Sequence, residues 1–127
     1  MTQLNSSAQL NVPIQLDVKM GSGCLELTYA NGKHYQLSFE FLRVHSPSAE
    51  VRGHGAGSEV LQFGKKRVTI QRIEPVGNYA IKIIFSDKHD SGLFTWPLLH
   101  DFCLNQQTLW QAYLEKLSKK NLSRDQQ

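Results

Sequence analysis

The chain has 127 residues, 40% of them apolar and 20% charged, with a formal net charge of +3 and a pI of about 9.0. That balance gives one globular domain with its own core, and excludes a disordered chain and a disulfide-stapled miniprotein. The excess charge is mild and partly gathered at Lys116, Lys119, Lys120 and Arg124, with no basic stripe interleaved with aromatics, so nucleic acid is not an expected partner.

Residues 1–11 are rich in Ser, Asn and Gln and read as a flexible N-terminal tail. They lack the basic start and apolar run of a signal peptide, and no stretch has the length of a membrane span. A cytoplasmic protein without a membrane partner is the expectation. From Ile14 the sequence alternates: Ile14, Leu16, Val18 and Met20 on one face, Gln15, Asp17 and Lys19 on the other, which predicts a half-buried strand. A second strand follows with Leu25, Leu27 and Tyr29 inward. Asn31-Gly32 predicts a type I′ turn into a third, with Tyr35, Leu37 and Phe39 on its apolar face.

Residues 40–64 lose the periodicity. Phe41, Leu42 and Val44 predict a short helical turn, and the remainder reads as a long loop of the kind that usually carries a function. Val68, Ile70 and Ile73 mark a strand, and Tyr79, Ile81, Ile83 and Phe85 its partner, joined by a type I turn at Glu74-Pro75-Val76-Gly77. Leu93, Phe94 and Trp96 follow the polar segment 86–92. Pro97 then opens a helix with apolar residues at 98, 99, 102, 103, 109, 110, 113, 114 and 117, and Asn105-Gln106-Gln107 is a candidate break. Tyr79, Phe85, Trp96 and Trp110 read as core aromatics. The domain spans 12–118, and 119–127 reads as a flexible C-terminal tail. The order of elements gives an α+β class: an antiparallel β-meander and β-hairpin sheet with a C-terminal helical segment packed on it.

Little of this sequence has the form of a catalytic centre. Cys24 and Cys103 belong to no CxxC pair and read as buried free thiols. There is no Gly-x-Ser-x-Gly elbow, and Gly53-His54-Gly55-Ala56-Gly57 lacks the Gly-Lys-Ser/Thr that closes a phosphate loop. His45, His54 and His89 lie in loop segments near Asp87 and Asp90, where two imidazoles and a carboxylate would suit iron or zinc. Asp87-Lys88-His89, however, reverses the order usual in such a triad. His34 alternates outward on a strand and His100 lies on the helix, and both read as structural or solvent-facing.

Three segments carry a family resemblance: Leu42-Arg43-Val44-His45-Ser46-Pro47-Ser48-Ala49-Glu50, Ile73-Glu74-Pro75-Val76-Gly77-Asn78-Tyr79-Ala80, and the run from Phe85 to Trp96 containing Ser86-Asp87-Lys88-His89-Asp90-Ser91-Gly92. Over about 12–117 the chain resembles the gamma-butyrobetaine hydroxylase-like N-terminal domain family, also called DUF971. The resemblance implies a domain that in the hydroxylases precedes a separate catalytic domain and holds a structural zinc through a Cys-Pro-Cys-x-x-Cys motif and a later histidine. The matching positions here are Ser46, Ser48, Val51 and His89, so no metal is expected at that site. Relatives fused to iron–sulfur carrier ATPases imply an accessory role.

The resulting expectation is a non-catalytic binding or adaptor module, not an enzyme, with a protein partner of unknown identity and no cofactor. Arg43, His45, Ser46, Ser48, Arg52, His54, Asp87 and His89 form its candidate binding surface. The alternative is a metal-binding accessory protein in iron or iron–sulfur handling, holding iron or zinc through His45, His54 and His89.

Overall fold

The computed structural model describes residues 11–53 and 59–125. Strands β1 (Gln15–Lys19), β2 (Cys24–Thr28) and β3 (His34–Ser38) form an antiparallel sheet in the order β1-β2-β3. Leu16 stands opposite Leu27, and Leu25 opposite Leu37. The alternation works as expected on β2 and β3, where Leu25, Leu27, Tyr29 and Leu37 are buried. On β1 it does not. Only Leu16 packs on the core, while Ile14, Val18 and Met20 are 68%, 38% and 59% exposed. As the edge strand, β1 overhangs the core, so its apolar face meets solvent.

The β2–β3 connection differs from a type I′ turn, because only Gly32 has a positive φ, at 88°. The Gly32 N–H donates to the Tyr29 carbonyl and the Tyr29 N–H to that of Lys33. This is the three-residue hairpin loop, closed by a left-handed glycine.

Ser38 ends β3 and caps helix α1 (Phe39–Val44), its Oγ accepting from the Phe41 N–H at 3.0 Å. Phe39 is therefore a helical residue and not the last of the strand. All six residues of α1 are buried, including Glu40 and Arg43. Within the segment read as a loop lies one further turn, α2 (Ala49–Arg52), capped by Ser48, whose Oγ accepts from the Glu50 N–H.

The second antiparallel sheet contains β4 (Ile70–Val76), β5 (Ala80–Phe85) and β6 (Leu93–Thr95), in that order. The fold class is α+β, with two three-stranded sheets in place of a single one. The turn expected at Glu74–Gly77 is displaced. Glu74, Pro75 and Val76 remain in β4, paired with Lys82, Ile81 and Ala80. The reversal occupies Gly77-Asn78-Tyr79, with Gly77 at φ 54°. Pro75 is tolerated because β4 is an edge strand. Tyr79 consequently sits in the turn, 52% exposed, and is not a core aromatic.

Helix α3 (Trp96–Lys119) is capped by Thr95, and Pro97 is its second residue. It kinks at Asn105 (φ −120°, ψ 17°), within the segment expected to break it. The Asn105 side-chain amide there donates to the Asp101 carbonyl and carboxylate. Leu99, Phe102 and Cys103, before the kink, join Leu25, Leu37, Ile81, Ile83, Phe85 and Phe94 in one core between sheets and helix. Beyond it, Tyr113 and Leu117 close a smaller cluster with Val44. The chain then folds back. Gly64 and Lys66 donate their N–H groups to the carbonyls of Ser123 and Arg124. The Arg124 guanidinium grips both Glu40 carboxylate oxygens at 2.8–3.2 Å and lies 5.2 Å from the Trp110 ring. Through Asp125, the segment read as a tail is thus tied to the body.

Candidate functional site

The end of α1, the cap of α2 and the β5–β6 loop converge on His89. Its Nε2 lies 2.8 Å from Ser46 Oγ and its Nδ1 3.2 Å from Glu50 Oε1. Ser46 Oγ also receives the Ser48 N–H at 3.3 Å, and Ser48 Oγ lies 2.6 Å from Ser91 Oγ. Ser46 is 0% exposed, Ser48 3% and His89 6%. Burial holds the His89 imidazole below its ordinary pKa, and the Arg43 guanidinium pushes the same way. The neutral ring therefore donates from Nδ1 to the Glu50 carboxylate and accepts from the Ser46 hydroxyl at Nε2. Gly92 closes the arrangement, since a Cβ there would lie 2.4 Å from Ser46 Oγ.

Beside it, the buried Arg43 donates to Asp87 Oδ2 at 2.9 Å and to Gln62 Oε1 at 3.1 Å. Lys65 reaches the same Asp87 oxygen at 2.7 Å. Burial raises the Asp87 carboxyl, but Lys65 and Arg43 outweigh it and hold the pKa below its usual value. Asp87 Oδ1 in turn accepts from the His89 N–H, so the ion cluster fixes the loop that presents the imidazole.

The seven candidate residues that lie among the described residues do not all share one surface. Arg43, Ser46, Ser48 and His89 are buried and make the internal frame of the loop, because their polar groups satisfy one another. Arg52 and Asp87 face outward, and His45 is half-buried. The His45 ring packs against Phe41 at 4.3 Å, with Nδ1 2.9 Å from the Phe41 carbonyl. His54 lies outside the described residues. Glu50, Gln62, Lys65, Ser91 and Gly92 complete the frame and were not singled out in the sequence. Glu50, Ser91 and Gly92 fall within the segments that carry the family resemblance, whereas Gln62 and Lys65 offered no local signal.

Glu50, His89 and Ser46 stand in the order of a carboxylate–imidazole–hydroxyl relay, and their geometry is compatible with proton transfer. The Ser46 hydroxyl, however, is sealed beneath Gly92 and Pro47, so no substrate atom can approach it in this conformation. The same positions do not fit a zinc ion: Ser46 and Ser48 offer neutral hydroxyls and Val51 no donor. The Ser46–His89 hydrogen bond closes the site directly. Among the described residues, no group of three or more His, Cys, Asp or Glu side chains is arranged to hold a metal ion.

The family model described as gamma-butyrobetaine hydroxylase-like, N-terminal, matches residues 16–100. Two NMR solution structures are similar to the chain. One is 46% identical, covers 91% of each chain and superimposes with a TM-score of 0.79. The other is 47% identical, covers 91% of this chain and 86% of its own, and has a TM-score of 0.78. A 1.93 Å crystal structure of a DUF971-family protein of unknown function from Acidithiobacillus ferrooxidans is 33% identical, with a TM-score of 0.61 over 73% of this chain and 93% of that one. No curated protein matches the sequence.

Proposed function

Given that the chain belongs to the gamma-butyrobetaine hydroxylase-like N-terminal family, we propose that it is a non-catalytic binding module that engages a protein partner through the exposed edge of β1. The apolar row on that edge carries the reading. Val18 and the flanking Ile14 and Met20 are exposed along one face of a strand paired, among the described residues, on one side alone. A free strand edge beside an exposed apolar row is the surface onto which a partner's extended segment adds. Leu104, 59% exposed, lines the same broad groove as Met20 and extends the apolar contact onto α3. The absence of a catalytic role is supported by the sealed Ser46 hydroxyl and by two buried thiols. Burial pushes the Cys103 thiol up to about 11, which keeps it protonated and unreactive.

Site-specific photo-crosslinking in the native cell tests this. A crosslinker at Val18 is expected to capture one discrete protein, and Met20→Asp to abolish that capture. A crosslinker at the exposed Glu115 should capture none. Equal products from both positions, no product at Val18, or a product consisting of two copies of this chain would each overturn the proposal.

A further inference from the structure

Between α1, α2, residues 59–62 and both halves of α3 lies a cavity of about 480 Å³, distinct from β1 and its groove. That volume is in the range of small-molecule sites. Its walls are apolar, with Leu61, Leu98, Phe102, Leu109 and Tyr113 facing the space. Its rim is cationic: Arg52 projects from α2, and Lys116 and Lys120 stand at the end of α3. Among the described residues, none of these three cations forms an ion pair with a carboxylate. Of the acidic residues on the rim, Asp101 is engaged by the Asn105 amide at 2.9 Å, and Glu59 also has a partner. His45 forms part of the lining. Burial lowers its pKa, and the positive charges of Lys116 and Arg52, which line the same cavity, push in the same direction.

Apolar walls beneath unpaired cations complement a molecule that is apolar at one end and anionic at the other. We infer that this cavity binds a small amphipathic anion, with its apolar body between Leu98, Phe102, Leu109 and Tyr113 and its carboxylate or phosphate at Lys116 and Arg52. The volume of about 480 Å³ is that of a small-molecule site, which favours a free small molecule over a peptide.

Binding of octanoate, octyl phosphate and 1-octanol to the whole chain, followed by amide chemical-shift titration, tests the inference. At least one anion is expected to bind saturably, about tenfold or more tightly than the alcohol, since a charge-assisted contact is stronger than a neutral one. The tighter anion identifies the head group. Lys116→Glu should remove the preference for the anion and leave the alcohol unaffected. Ala112→Trp, an exposed position on the cavity wall, should block both ligands without unfolding the chain. No saturable binding, equal affinity for alcohol and anions, or unchanged binding in Ala112→Trp would overturn the assignment.

Discussion

Gly92 has no space for a methyl group, and this ties it to Ser46 more closely than any hydrogen bond between them could. A Cβ at 92 would lie 2.4 Å from Ser46 Oγ and 3.2 Å from Pro47 Cδ. Gly92→Ala is expected to cost about 1–3 kcal/mol, the usual penalty for overpacking a filled interior. Ser46→Ala is expected to cost a similar amount, about 1–3 kcal/mol, because it leaves His89 Nε2 buried without a donor. The double substitution should be less destabilising than the sum of the two, since the second change removes the oxygen that the new methyl meets. Urea denaturation of the three variants measures this coupling. Additivity within about 0.5 kcal/mol would show that the clash is relieved elsewhere. At this scale the sequence was half legible. Ser46, Ser48 and His89 followed from a motif, whereas the close approach of Gly92 depends on how two distant loops pack. A glycine gives no sequence sign of what a side chain there would strike.

At the scale of elements, periodicity located β2, β3 and α3, because their apolar residues meet a core on one side. It located β1 as well but misjudged its burial, since alternation records which face is apolar and not whether anything covers it. The Pro75 turn was misplaced for a related reason: proline is excluded from central strands, and an edge strand such as β4 admits it. The α2 turn is four residues long, too short for a period, and only its Ser48 cap identifies it. The folded-back segment 120–125 left no periodic signal either, since the Arg124–Glu40 ion pair, two backbone hydrogen bonds and the packing of Leu122 dock it. Glu40, 6% exposed, depends on Arg124 to balance its charge. Breaking a fully buried pair costs about 3–5 kcal/mol; with the Arg124 side chain 37% exposed, Arg124→Ala is expected to cost less, about 1–3 kcal/mol. Arg124→Lys should recover part of this, because it keeps the charge and loses the two-pronged contact. Hydrogen exchange provides the specific readout. The Gly64 and Lys66 amides donate to Ser123 and Arg124, so their exchange should accelerate in Arg124→Ala. Unchanged exchange at both would mean that the segment docks without the ion pair.

For the molecule as a whole, α1 joins the large core to the smaller cluster, and a half-buried and a buried histidine pack near it. His45 packs against Phe41, Phe102 and Tyr113, while His89 locks the β5–β6 loop to the α2 cap. Burial is the largest influence on both, and it holds both pKa values below the ordinary 6.5. Above that value folded and unfolded chains carry the same neutral rings, so stability is flat with respect to these groups. As the pH falls below 6.5 the unfolded chain takes up protons that the folded chain refuses, and the equilibrium moves toward unfolding. Asp87 has the same sign but acts lower. Its carboxyl is held below 3.8, so its contribution survives until the pH drops past that value. Thermal unfolding should therefore show a midpoint that is nearly constant above about pH 7 and declines steadily between about pH 6.5 and 5. His45→Gln, which removes one of the two refused protons, should make that decline shallower. A midpoint that rises on acidification through this range would mean that the Glu50 and Asp87 carboxylates outweigh burial, and that His89 folds as an imidazolium.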